Sequence, residues 1–363
     1  MLIYIKVIFM KKTFTLEDSL KIKGIAIMLM IFHHLFRLVE FSEGFNISFF
    51  PLTIGRTAQI ATFFKICVPI FVFVSGYGLL YSYKKMKKKN NFFIKRYFKL
   101  MPTFWFVSIV SFVVLQITNN VFIHYYFNDN IYSGITKVIF DMVGITGLTG
   151  TSCFSGNWWY VGASLIFIFL LPIIYKCSKK YGWFNVGLAI VIIPRIFNIS
   201  NVSTTTALPY IFAFYLGMLF QEFDVFHKIK NINVNSVIKF FIYLFMLLVF
   251  YLMYTHYPRN VFWEFHLGII PVVFISFCFE YIISIPIISF ILLKLGKFSY
   301  IMFLIHGFFI DYAKNFIYSF DHMVAVFLIL TLVSFIGSFV IDQVMKLVRY
   351  NNFFDKIEKK YFN

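Results

Sequence analysis

Lys23 and His34 stand eleven residues apart, joined by an apolar stretch that begins at Gly24. At 1.5 Å per residue, a helix through both carries the imidazole about 16 Å from the lysine, near mid-membrane if the lysine marks one surface. An imidazole titrates near pH 6.5, so His34 is a candidate general base for taking a proton from a hydroxyl. The same placement suits a histidine bonded between helices for packing, and spacing alone leaves both readings open. Lys297 and His306 repeat the arrangement nine residues apart, which puts His306 about 13 Å deep. Two histidines at matching depth on separate helices can face one cavity. His33, about 100° around the helix from His34, points to a different face.

A second constellation is basic. Lys95, Arg96 and Lys99 follow one another at i, i+1 and i+4, just before Pro102, which is expected in an early helical turn. Lysine and arginine grouped at a membrane mouth can hold phosphates by charge-assisted bonds, and lipid headgroups equally well. The denser run from Lys84 to Lys89 is read as a topogenic, lipid-facing cluster. The stretch Ser75-Gly76-Tyr77-Gly78 carries small residues suited to close helix contact, and Trp158 and Trp159 suit a membrane interface. The four cysteines show no metal-ligand or disulfide spacing, and no metal site is expected. Nucleophile-elbow, zinc-protease and phosphate-loop motifs are missing, so those chemistries have no support.

The elements that must position these residues follow from composition. Of 363 residues 60% are hydrophobic and 13% charged, with a mean hydropathy of +0.82. A water-soluble globular protein is nearer 45–50% apolar and about 25% charged, so that class is excluded. The expected architecture is all-α, a polytopic membrane bundle of about ten helices at roughly 22–38, 66–83, 100–118, 159–175, 184–197, 208–221, 237–254, 265–283, 298–316 and 323–345. The fifth and sixth are shorter than a straight crossing needs, and Pro194 is a candidate break in the fifth. With that alternation 26 of the 33 basic residues fall on one side. The other seven are Arg37, Arg56, Lys65, Lys137, Arg195, Arg259 and Lys314. The positive-inside rule makes the richer side cytoplasmic, with both termini there, and accounts for the net charge of +18 without nucleic acid. The chain divides into an N-terminal segment 1–21, a membrane domain 22–345 and a tail 346–363, with Met10 an alternative start. In the outer segment 119–158, Ile135 to Leu148 is apolar enough to re-enter the membrane.

Taken in order, these marks resemble the acyltransferase 3 family of multi-spanning membrane O-acyltransferases, whose first helix carries a basic residue, ten residues, then histidine. Lys23, residues 24–33 and His34 match that spacing. Further pieces lie at Val68 to Tyr77, Phe93 to Pro102, Trp159 to Pro172, Phe214 to Gly217 and Leu295 to His306, so the likeness covers about residues 14–345. Two departures stand out: Lys23 where arginine is commoner, and Ser164 where many polysaccharide-modifying members carry glutamate.

The resemblance implies transfer of an acyl group, commonly acetyl, from acyl-CoA to a hydroxyl of a cell-envelope glycan or lipid-linked sugar at a cell (inner) membrane. Acyl-CoA is then a co-substrate, no cofactor is permanently bound, and membrane lipids are the other partner. His34 and Lys23 are expected to be catalytic, and Lys95, Arg96 and Lys99 to hold the CoA phosphates. Ser75, Tyr77, Trp159, Tyr300 and His306 are expected around the substrate; Ser75, Tyr77, Tyr300 and His306 are candidate oxyanion donors. No fused extracytoplasmic domain is expected. A transporter or flippase for a lipid-linked saccharide is the rival reading, although an internal repeat is missing and acidic residues inside spans are few. A glycan polymerase would need outer loops richer in arginine.

Overall fold

The structure is a computed structural model describing residues 14–38, 40, 42–146, 153–197, 203, 205–256 and 263–362. The alternative start at Met10, the end of the expected re-entrant stretch at Leu148, and Arg259 lie outside the described residues. The chain is 83% helical, with no strand among the described residues.

Ten apolar helices appear in the expected order: α1 Leu16–Phe36, α2 Cys67–Lys85, α3 Phe92–Asn119, α4 Trp159–Tyr181, α5 Trp183–Ile196, α6 Ile211–Glu222, α7 Ser236–His256, α8 Phe265–Ile282, α9 Pro286–Tyr312 and α10 Met323–Leu347. Eight are long and apolar enough to cross a membrane. The other two, α5 and α6, are those expected to be short, at 14 and 12 residues. Pro194 does not break α5, because it falls in the last turn of a helix that continues to Ile196.

Local sequence explains the helix starts that matter. α1 opens on a capping box in which Thr15 Oγ1 accepts from the Asp18 N–H at 3.1 Å and Asp18 Oδ2 accepts from the Thr15 N–H at 2.9 Å. α3 starts eight residues earlier than expected, at Phe92, so Pro102 is interior rather than in an early turn. It removes one rung of the helix ladder there. Lys95, Arg96 and Lys99 therefore occupy the first turns of α3.

Two helix pairs form the centre. α1 packs most extensively on α9, and α2 on α6. Both contacts rest on glycines: a methyl on Gly24 would collide with the Leu292 carbonyl oxygen, and one on Gly296 with that of Leu20. Likewise Gly76 lies on the Phe214 carbonyl and Gly217 on that of Phe73. Each glycine thus faces the carbonyl three or four residues before its counterpart. Since Cβ atoms tilt toward a helix N-terminus, this is the geometry of parallel helices with the glycines at one height. α7 lies at the rim with Phe241, Phe245 and Leu248 exposed, as suits a helix apolar all round and bathed in lipid.

The segment expected on the outer side holds two helices, Val121–Phe127 and Ile131–Val143. Buried Asp141 gathers it, accepting hydrogen bonds from the Tyr126 hydroxyl, the Thr146 hydroxyl and the Phe154 N–H at 2.5, 2.5 and 3.1 Å. Burial raises the Asp141 carboxyl above the usual carboxylate range, and those three bonds work against the rise. After α10, Tyr350–Phe362 forms a further helix against α3, with the Phe354 ring 5.7 Å from that of Trp105 and 6.4 Å from that of Phe98.

Candidate active site

The in-register pairing of α1 with α9 decides where the histidines go. His34 lies ten residues beyond Gly24 and His306 ten beyond Gly296, so both rise about 15 Å from one level. Their rings meet edge to face with centroids 5.0 Å apart at 89°. His306 is fully buried, and its Nδ1 faces the carbonyl oxygens of Phe303 at 2.9 Å and Met302 at 3.1 Å. Two acceptors there require the proton on Nδ1, which leaves Nε2 an acceptor. That Nε2 is buried and has no hydrogen-bond partner among the described residues. His33 turns the other way, its Nδ1 2.6 Å from the Ala61 carbonyl oxygen.

Three cavities lead to His34. The first, about 330 Å³, is walled by Ser19, Lys23, Ser75, Ser82, Arg96, Lys99 and Ser164 among others. The second, about 170 Å³, shares Lys23, Ser75, Leu100 and Ser164 with the first and adds Tyr160, Ser299 and Tyr300. The third, about 30 Å³, shares Met30, Phe71, Tyr160 and Phe303 with the second and is closed by His34, Asn157 and Trp159. Their common walls set them in a row, a path of adjoining cavities basic at one end and ending at an imidazole. A larger apolar cavity of about 420 Å³ lies between α4, α5 and α6, away from both histidines.

Most of the residues singled out from sequence lie along this path: Lys23, Arg96 and Lys99 at its basic end, Ser75 and Tyr300 midway, Trp159 and His34 at its close. Tyr300 also donates from its hydroxyl to the Leu100 carbonyl at 3.3 Å, fastening α9 to α3. Three lie elsewhere. Lys95 lines none of these cavities, because the wall takes Arg96 and Lys99, which share a helix face at i, i+3. Tyr77 is about 200° around α2 from Ser75; its hydroxyl donates to the Phe14 carbonyl at 3.4 Å and its ring packs on Phe14. His306 stands behind His34 rather than on the cavity wall.

Asn157, Tyr160 and Ser164 line the path without having been assigned to it. Asn157 is held by packing that the sequence hints at only afterwards: a Cβ at Gly307, the residue after His306, would come within 2.5 Å of Asn157 Nδ2. The neighbouring Trp158 Nε1 donates to the Leu304 carbonyl at 3.1 Å, so the start of α4 is tied to α9 beside His306. Ser164, at the position where a carboxylate was expected in related chains, donates to the Tyr160 carbonyl at 2.8 Å. Of the run Lys84 to Lys89, Lys84 pairs with Glu222 at 3.0 Å, and Lys179 meets the same carboxylate. No cluster of metal-ligating side chains occurs among the described residues.

The family described as an acyltransferase domain, acyltransferase 3, matches residues 21–343. No curated protein and no solved structure matches the chain.

Proposed function

The chain belongs to the acyltransferase 3 family of membrane acyltransferases, and from that premise we propose that it moves an acyl group, acetyl first among them, from acyl-CoA to a hydroxyl of a cell-envelope polysaccharide or lipid-linked sugar. The observation that carries this reading is the path from Arg96, Lys99 and Lys23 to His34. A donor with several phosphates, a long thin arm and a reactive thioester at its far end needs such a path.

In this mechanism Arg96 and Lys99 hold the donor phosphates by charge-assisted bonds and Lys23 adds charge farther in. The arm runs past Ser75, Tyr160 and Tyr300 and brings the thioester to the lobe of His34. The acceptor hydroxyl approaches from the side of Asn157 and Trp159. His34 takes its proton as the oxygen attacks the carbonyl carbon. The tetrahedral oxyanion then collapses, the C–S bond breaks, and the proton passes from His34 to the departing thiolate. Asn157 joins Ser75 and Tyr300 as a candidate donor to the oxyanion. His306, its Nδ1–H engaged, offers Nε2 to the imidazolium that forms on His34. Transfer is direct, since no serine lining these cavities is hydrogen-bonded to a base among the described residues.

The 26 basic residues on one side support a cytoplasmic placement of both termini and of the donor mouth, in a cell (inner) membrane. The test is CoA release by membranes supplied with acetyl-CoA and a panel of envelope glycans and lipid-linked sugars. Acceptor-dependent release that His34→Ala abolishes supports the reading, and release indifferent to acceptor and to His34 defeats it.

A further inference from the structure

A groove of about 830 Å³ runs between α9 and α10 on the outside of the bundle, with Met28 of α1 at its floor. That volume is in the range of pockets that seat a small molecule. Its walls divide sharply by chemistry. Along most of its length they are apolar, with Phe298, Leu328, Phe335 and Phe339 prominent. At one end stand Lys294 and Lys297 of α9 and Lys346 of α10, all exposed. Lys346 is paired with Asp342 at 2.6 Å, and Lys294 lies 5.4 Å over the Phe290 ring. Lys294 and Lys297 form no ion pair among the described residues.

The positive-inside rule accounts for lysines at these helix ends, but it does not require an apolar cleft of this volume to open beside them. We propose that this groove binds one anionic phospholipid of the surrounding bilayer, its phosphate among Lys294, Lys297 and Lys346 and its acyl chains along Phe298, Phe335 and Phe339. Charge complementarity selects the occupant. After the Asp342 pairing the mouth keeps two uncompensated ammonium groups, which a zwitterionic lipid matches poorly and an anionic one well. Basic pockets between membrane helices on the cytoplasmic side recognise anionic headgroups in this way. The site is separate from the acyl-donor path, whose lysines and arginine lie on α1 and α3. It bears on the active site through Gly296, which sits beside Lys297 and packs on Leu20 of α1. A lipid seated there braces the helix pair that carries both histidines.

The test uses the purified full chain in neutral detergent, titrated with phosphatidylglycerol or phosphatidylcholine, with retained lipid counted by native mass spectrometry. The expected result is saturable retention of phosphatidylglycerol over phosphatidylcholine. Combined Lys294→Gln, Lys297→Gln and Lys346→Gln should cut that preference on the order of ten-fold, whereas the matching arginine triple should keep it. Neutralising Lys87 and Lys89 to glutamine should leave it unchanged. If the glutamine triple fails to fold, a photoactivatable phosphatidylglycerol on the wild-type chain should label peptides carrying Phe298 or Phe335. Equal retention of the two lipids, labelling spread evenly over α7, or displacement of phosphatidylglycerol by an isoprenoid phosphate at one tenth the concentration would each overturn the proposal.

Discussion

The imidazoles of His34 and His306 meet edge to face, 5.0 Å between centroids, on two helices that run parallel. Only His34 reaches the cavity wall, while His306 has its Nδ1–H committed to backbone carbonyls and its Nε2 buried with no hydrogen-bond partner among the described residues. One ring can exchange a proton with a substrate, and the other can respond to the charge this creates. The pair is therefore asymmetric in its surroundings although alike in level along the two helices.

His34→Ala should lower acyl transfer by about 10² to 10⁴, the usual cost of losing a general base, with protein abundance and acyl-CoA binding near normal. His33→Asn, which can still donate to the Ala61 carbonyl, should retain most of the turnover. Measuring both in membranes at matched protein levels decides it; wild-type rates from His34→Ala would remove the histidine from the mechanism.

His306→Phe keeps a flat ring against His34 and deletes the acceptor nitrogen. The expected outcome is a fall in kcat on the order of ten-fold with KM for the acyl donor unchanged, because only the charged state of His34 feels the loss. An unchanged kcat would reduce His306 to packing.

Arg96→Ala should raise KM for acyl-CoA more than it lowers kcat, since a phosphate contact far from the reacting carbon holds ground and transition states alike. Lys95→Ala, one residue away but off the cavity wall, should leave both constants close to wild type. Steady-state kinetics with varied acyl-CoA separates a shaped donor site from general electrostatic attraction, for which the two variants would behave alike.

Gly24→Ala and Gly76→Ala drive a methyl into a neighbouring helix backbone and should destabilise the chain by about 1–3 kcal/mol, the range for overpacking. Gly55→Ala, with nothing within 4 Å of its added carbon, should be neutral or slightly stabilising. Thermal unfolding of the purified variants in one detergent compares them directly.

Counting along the chain picked out Lys23, Ser75, Arg96 and His34 among the residues that line these cavities. That His34 and His306 meet at one level followed from their similar distances to Lys23 and Lys297, because a helix converts residue number into height with a fixed factor. Azimuth was harder. Ser75 and Tyr77 were grouped as neighbours in sequence although a helix sets them nearly opposite. Lys95 was grouped with Arg96 although a single residue carries it off the wall. Pro102 misled because its preference for a first turn was allowed to outweigh the helical residues before it. Asn157 carried no signal of its own, since its place depends on the gap that Gly307 leaves on a helix about 150 residues later.

The glycine contacts turn the chain into a measuring rule. Gly24 and Gly296 set the zero mark, and ten residues of helix on each side fix the level at which His34 and His306 meet. A single alanine inserted between Gly24 and His34 would rotate the imidazole by about 100° and lift it about 1.5 Å, sending it away from both His306 and the cavity. A seven-residue insertion would nearly restore its bearing but carry it about 10 Å too far, past the cavity it closes. The number of residues between the two marks is thus constrained separately from their kind, which burial of Ala26, Ile27 and Ile31 constrains in its own right.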